Sequence, residues 1–230
     1  MTNTLNIKFI LSVIAIIIFT AVCSMQCYGD GDSVSGNKKN NADIRQAILS
    51  GSVTRDDIYE ALKNKKVDYV FTVISFSIRT RDNQEIVTLL KGVWNLRKNQ
   101  YPDLAWDVLS DPYIKVALAQ TLGQIEKGND EYGALLREYL SNDDAKTRGA
   151  ASVALGIIGN DDDINALVKV VRRGPDYASL HAIYGLTSLG TDKAYMTLEE
   201  LKKQYKSDDV ILSAIKKGLM KMERYKGSKK

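Results

Sequence analysis

The side chains with the most distinctive chemistry occur singly in this chain. His181 is the only histidine, and a metal ligand or a general base needs partner groups close by. It lies between Leu180 and Ala182, in a segment with the pattern of a packed helix. A structural role is therefore the favoured interpretation of this histidine.

Three consecutive aspartates, Asp161 to Asp163, are a second candidate for chemistry. A calcium loop spreads alternating oxygen ligands over about 12 residues and usually ends in glutamate. Here Ile164 already begins an apolar helix face, so helix capping and the helix dipole explain the triplet better. With no phosphate loop, nucleophile elbow, HExxH or paired CxxC motif, the sequence predicts no catalytic, cofactor-binding or metal-binding residue, and no cofactor.

The two cysteines, Cys23 and Cys27, both follow an apolar run at residues 9–22. Lys8 precedes that run, which is shorter than the about 20 residues of a transmembrane helix, so residues 1–29 fit a secretory signal. Three outcomes stay open: cleavage after Gly29 or Cys23, lipid attachment at Cys23 within a weak lipobox, or an uncleaved anchor. All three predict an exported protein that is periplasmic, or tethered to a membrane and facing away from the cytoplasm.

The charge of the chain is mildly basic, with a net value of +4 and a pI near 8.8. This balance permits an anionic partner without demanding one, and together with export it argues against nucleic acid. The C-terminal residues 216–230 are rich in lysine. They can contact an acidic protein or an anionic lipid surface, or simply form the polar end cap of the fold.

A regular pattern of helix pairs dominates the second half of the chain. It recurs about every 32 residues, in units that begin at Asp111, Asp144, Asp176 and Asp209. Each unit has a first helix rich in small residues, a glycine-containing break and a second helix with apolar residues at helical spacing. Small residues at a fixed phase let helices approach closely, so the pattern predicts a stack of hairpins. The small residues are Ala150, Ala151, Ala154, Gly156 and Ala182.

One unit carries most of a known repeat motif. Its matching residues are Asp144, Arg148, Ala151, Leu155, Gly156, Ile158 and Gly159. The preceding unit keeps Leu122, Gly123 and Ile125 with Lys115 for the arginine, and the following unit keeps Ala182, Leu186, Leu189 and Gly190 but has Thr187 in place of glycine. Residues 111–224 thereby resemble the HEAT-repeat family, specifically the short bacterial type called lyase-like HEAT repeats. The resemblance implies an all-α solenoid whose second helices line a concave face.

The residues before the repeats are harder to interpret. Residues 30–42 are polar and predict a flexible linker, and residues 43–110 predict a helical region of degenerate repeats or a cap. Thr54 and Asp82 are predicted helix N-caps, and Tyr101–Pro102–Asp103 is predicted to open a short helix through Leu109. Residues 67–79 have the β-branched and aromatic composition of a strand, but their length and helical neighbours favour a buried helix.

The favoured functional hypothesis is a non-catalytic scaffold or adaptor in an envelope-associated assembly. It binds another protein, which can be acidic, on the concave face of the solenoid. Its candidate binding residues are the cations predicted to face outward on the second helices: Arg137, Lys169, Arg172, Arg173, Lys202 and Lys203. An ordinary solvated face is the alternative for this stripe, because acidic residues are interspersed. Membrane association is predicted through the N-terminus, and residues 225–230 form a basic tail.

The alternative hypothesis is an enzyme or small-ligand carrier, because some proteins with lyase-like repeats act on bilin chromophores. In this chain the alternative is based on a set of aromatic residues. They could line a pocket where residues 67–110 meet the repeats, or else pack in the core. These are Trp94, Tyr101, Trp106, Tyr132, Tyr139 and Tyr184.

Overall fold

The computed structural model describes residues 34–174 and 176–227, which form twelve α-helices without a strand. The helices are α1 Val34–Ser50, α2 Arg55–Lys63, α3 Val67–Phe76, α4 Gln84–Trp94, α5 Trp106–Leu109, α6 Pro112–Ile125, α7 Asp130–Tyr139, α8 Ala145–Ile158, α9 Ile164–Val171, α10 Tyr177–Leu189, α11 Asp192–Gln204 and α12 Asp209–Gly227. Two 3-10 turns, Ser77–Thr80 and Asp161–Asp163, precede α4 and α9. The all-α prediction is confirmed over this range. The predicted signal or anchor at residues 1–29, with Cys23, lies outside the described residues.

Polar side chains fix where most helices begin. Thr54 and Asp57 form a capping box at α2, in which the Thr54 amide donates to the Asp57 carboxylate at 2.8 Å. Asp111 accepts two amide hydrogen bonds at the start of α6, where Pro112 occupies the first helical position. Asp144 and Asp176 cap α8 and α10 in the same way. The aspartates that begin the first three units are therefore helix caps, and in the fourth unit Asp208, one residue before Asp209, accepts the first amides of α12.

Three predicted boundaries differ from the structure. Asn83, not Asp82, caps α4, which begins one residue later than predicted, after the 3-10 turn. The short helix α5 begins at Trp106 rather than near Tyr101, because the chain from residue 101 to 105 forms turns. Helix α1 begins at Val34, inside the predicted linker at residues 30–42, where no proline stops it.

The ambiguous segment at residues 67–79 is helical through Phe76, as predicted. Val70, Val73 and Ile74 are buried at helical spacing in α3, and α3 packs against α1, α2 and α6. Burial on these neighbours overrides the strand propensity of the segment.

The repeats form two layers of helices. In the first-helix layer, α6, α8, α10 and α12 pack side by side in chain order. In the second-helix layer, each of α7, α9 and α11 packs against the first helix of its own unit and of the next unit. One cluster of buried apolar side chains runs from Ile44 in α1 to Met222 in α12. The N-terminal helices therefore share a continuous core with the stack, as in an α-solenoid.

Glycines bring α8 and α10, two neighbouring first helices, to backbone contact. A Cβ atom on Gly156 of α8 would overlap the backbone of Gly185 in α10, and one on Gly185 would overlap the carbonyl oxygen of Ser152. Gly218 of α12 faces Thr187, the residue that replaces the repeat glycine in the third unit. The missing glycine of one helix is thus compensated by a glycine on the next.

Within the described ranges, no helix combines the length and apolarity needed to cross a lipid bilayer.

Candidate functional site

The six candidate cations divide into two groups in the structure. Arg137 and Lys202 form ion pairs within the fold. The other four are exposed and form no ion pair with any residue of the described ranges: Lys169, Arg172, Arg173 and Lys203. We call these four residues the cationic patch.

Arg137 cross-links two units of the stack. Its Nε donates to Asp163 at 2.7 Å and a terminal nitrogen donates to Asp130 at 2.8 Å. Asp163 is only 1% exposed, and its second oxygen accepts the Asn160 amide at 3.0 Å. The hydrogen bonds to Asp130 and Asp163 raise the pKa of Arg137. This arginine therefore neutralises a buried carboxylate, and its charge is not available to a partner.

Lys202 pairs with Glu199 one turn earlier in α11, at 3.1 Å. Both side chains are partly exposed, and such a surface pair contributes about 0–1 kcal/mol. Its positive charge is locally balanced. On α7, where Arg137 is engaged within the fold, the exposed residues include Glu131 and Glu138. The predicted stripe of cations across three second helices is therefore interrupted at α7.

The cationic patch lies at the carboxyl ends of two neighbouring second helices. Lys169 is in the last turn of α9, Arg172 and Arg173 follow that helix directly, and Lys203 is in the last turn of α11. The hydroxyl of Tyr205, just after α11, donates to the carbonyl of Val171 at 3.4 Å, so the two helix ends meet. The partial negative charge at a helix carboxyl end tolerates such a concentration of cations.

Arg148, a motif residue of the repeat, has a structural role. It is 8% exposed and donates to the carbonyls of Asn142 and Asp143 at 2.9 and 2.8 Å, and to Asp176 at 2.7 Å. Burial alone would raise the pKa of Asp176, but hydrogen bonds from Ser179 and Arg148 lower it. Arg148 thus ties the loop before α8 to the cap of α10.

Two of the aromatic candidates join the N-terminal helices to the repeats. The rings of Trp94 and Tyr132 meet edge to face at 5.0 Å. Trp94 Nε1 donates to Glu131 at 2.8 Å, and the Tyr132 hydroxyl donates to Glu126 at 2.7 Å. Burial and then the bond to Glu126 raise the pKa of Tyr132. These polar atoms are therefore engaged at a helix junction.

The other aromatic candidates are likewise in contact with the fold. The indole nitrogen of Trp106 donates to the carbonyl of Tyr101 at 2.8 Å, and the Tyr101 hydroxyl accepts from Arg55 at 2.8 Å. Tyr139 is half-buried against the core. The ammonium of Lys221 lies 4.8 Å from the ring centroid of Tyr184.

His181 packs between first helices. Its ring stacks on Tyr177 at 3.9 Å, and its Nδ1 lies 2.8 Å from the Tyr177 carbonyl. Because a carbonyl only accepts, Nδ1 carries the proton of the neutral imidazole. Burial lowers the pKa of His181. These contacts give the histidine a packing role.

The aspartates of the triplet Asp161–Asp163 stabilise turns by accepting hydrogen bonds. Asp163 completes a capping box with Asn160, and Asp161 accepts a hydrogen bond from Thr191 of the next unit at 2.6 Å. Across the described parts of the chain, His, Cys, Asp and Glu side chains form no group of three able to hold a metal ion.

A family model described as HEAT repeats matches residues 107–187 of the chain. Among curated proteins and solved structures, none matches the chain. The matched segment runs from α5 into α10 and includes the glycine contact between α8 and α10. The resemblance to HEAT repeats drawn from the sequence motif is therefore confirmed over the matched residues 107–187.

Proposed function

We propose that this protein is a non-catalytic, exported adaptor that holds an acidic segment of a partner protein at the cationic patch. HEAT repeats generally mediate protein interaction. The aromatic residues considered for an enzyme or a ligand carrier are engaged in contacts between helices. This favours the adaptor over the enzyme or carrier.

The observation that carries the proposal is a concentration of exposed cations on a rigid support. Lys169, Arg172, Arg173 and Lys203 lie at adjoining helix ends, while Val168, Val170 and Val171 between them are buried. A surface fixed by a packed core loses little conformational freedom on binding. Exposed like charges also accelerate the approach of an oppositely charged partner.

The location of the adaptor is part of the proposal and rests on the sequence. The apolar run at residues 9–22 after Lys8 supports export into an envelope-associated assembly, in either soluble or membrane-tethered form. Intact mass measurement of the protein purified from its own cells tests this directly. Export predicts a mature chain cut after Gly29 or Cys23, a chain that begins at a lipid-modified Cys23, or an uncleaved chain in the membrane fraction. A full-length chain found in the cytoplasmic fraction would contradict it.

Capture of partners from envelope extract tests the binding surface. The full chain should retain a stoichiometric protein at low salt and lose it as salt rises, because exposed charges are screened over about 8–10 Å at physiological ionic strength. Reversal of two patch residues, Arg172→Glu with Arg173→Glu, should abolish this capture.

The matched control reverses two exposed lysines at the junction of α2 and α3, Lys63→Glu with Lys66→Glu. It makes the same change in net charge and also alters a helix end. It should bind as the unaltered chain does. Equal loss in both variants would mean that only overall charge matters, and equal retention would exclude the patch.

A further inference from the structure

The last helix carries a second cationic surface that partner binding at the patch does not use. Ile211, Ile215, Leu219 and Met222 of α12 are buried against α10 and α11. This buried row of apolar side chains fixes which side of α12 faces the solvent. The opposite side exposes Lys216, Lys217, Met220 and Arg224, which we call the α12 outer face.

The other charged side chains of the C-terminal half of α12 are engaged with neighbouring helices. Glu223 accepts a hydrogen bond from the Tyr195 hydroxyl at 2.8 Å. Lys226 pairs with Asp192, and Lys221 lies over the Tyr184 ring. Lys216, Lys217 and Arg224 are left exposed, and none of them pairs with an acid among the residues the structure describes.

An apolar side chain lies at the centre of these cations. Met220 is 52% exposed, with Lys216 one turn before it and Arg224 one turn after it. Val210 is also exposed on α12, at 58%. The end of a solenoid needs a polar outer surface for solubility, and neither an exposed methionine nor an exposed valine serves that purpose.

We propose that the α12 outer face binds the surface of an anionic lipid bilayer. The face runs from Lys216 to Arg224 along one side of the helix, so at about 1.5 Å per residue it presents a row of about 12 Å. Cations next to an anionic bilayer gain affinity without any defined pairing geometry, and an unbranched apolar side chain among them enters the headgroup region. An acidic protein would satisfy the cations but gives no reason for Met220 at their centre.

Vesicle co-sedimentation of the full chain tests this assignment. Vesicles of phosphatidylcholine alone report any binding through the apolar run near the N-terminus. The excess binding to vesicles that also contain phosphatidylglycerol reports the cations. Because one basic residue changes the partition coefficient on the order of fivefold, Lys216→Glu with Lys217→Glu should lower this excess at least about 25-fold.

Two further variants decide which surface is responsible. Met220→Ser should also lower the excess, by a smaller factor, while Lys63→Glu with Lys66→Glu should leave it unchanged. The proposal is overturned if there is no anionic excess, or if Arg172→Glu with Arg173→Glu removes it as strongly as the α12 variant. It is also overturned if the full chain binds polyglutamate but not the vesicles and Lys216→Glu with Lys217→Glu removes the polyglutamate binding, which would assign the face to an acidic protein.

Discussion

In the repeat region, the first helices α8 and α10 meet at backbone distance, whereas neighbouring second helices are linked through side chains. Gly156 and Gly185 leave no room for a Cβ atom between α8 and α10. Neighbouring second-helix segments are linked by polar contacts, such as Arg137 with Asp163 in the turn before α9 and Tyr205 with the Val171 carbonyl. Positions in the first-helix layer are therefore constrained by volume, and exposed positions in the second-helix layer are free to carry charge.

This difference separates the residues that specify the fold from those proposed to bind. A close-packed interface responds to every added methyl group. An exposed charge contributes little to stability. Substitutions of the same chemical type should therefore have very different effects in the two settings.

The largest effect is expected for one glycine pair. Gly156→Ala should destabilise the protein by about 3 kcal/mol, because the new Cβ meets backbone atoms that cannot move alone. Gly92→Ala in α4 is the matched control, since no atom lies within 4 Å of its Cβ position. That change should stabilise by about 0.5–1 kcal/mol, because alanine is the better helix former. Urea denaturation measures both, and equal signs would contradict the backbone contact.

A smaller loss is expected for Ala151→Leu in α8. Ala151 is fully buried, so the larger side chain should overpack the layer and cost about 1–3 kcal/mol. The same change at Ala134, which is exposed on α7, should shift the unfolding free energy by no more than about 0.5 kcal/mol. Similar costs at both positions would mean that the two layers are not packed differently.

Arg137 tests a charged contact of the second-helix layer that reaches the interior. Arg137→Ala leaves the buried Asp163 carboxylate without its cation, and removal of one partner of a buried pair is costly. Because the arginine is itself 35% exposed, we expect a reduced cost of about 1–2 kcal/mol. Arg172→Ala, in the patch, should cost no more than about 0.5 kcal/mol in the same thermal or urea assay. Equal effects would remove the distinction between the two arginines.

The layers also differ in what the sequence could predict. The helix pairs, the aspartate caps and the buried phase of Ala151 and Gly156 follow from periodicity within one unit. The loss of Arg137 from the predicted binding stripe does not, because its partner Asp163 lies 26 residues away in the next unit. The start of α1 at Val34 does not follow from the sequence either, because residues 30–42 are polar and give no apolar pattern that would predict a helix.

A weak pH dependence is expected from the first-helix layer. Burial lowers the pKa of His181 below the ordinary value of about 6.5. The folded state therefore binds this proton less readily than the unfolded state, so stability should fall as the pH falls from above 6.5 through the lowered pKa. His181→Asn should flatten this part of a melting-temperature profile. Carboxylates with lowered pKa, such as Asp57 and Asp176, act in a more acidic window. Superimposable profiles for the unaltered chain and the variant would contradict a half-buried, neutral His181.

The smallest stability change and the largest binding change should coincide in one variant. Both properties should therefore be measured on Arg172→Glu with Arg173→Glu. We predict an unfolding free energy within about 0.5 kcal/mol of the unaltered chain, because both side chains are exposed and unpaired among the described residues. We also predict loss of the captured partner at low salt. Retained capture, or a large loss of stability, would contradict the central claim that the first helices hold the fold and the second helices hold the partner.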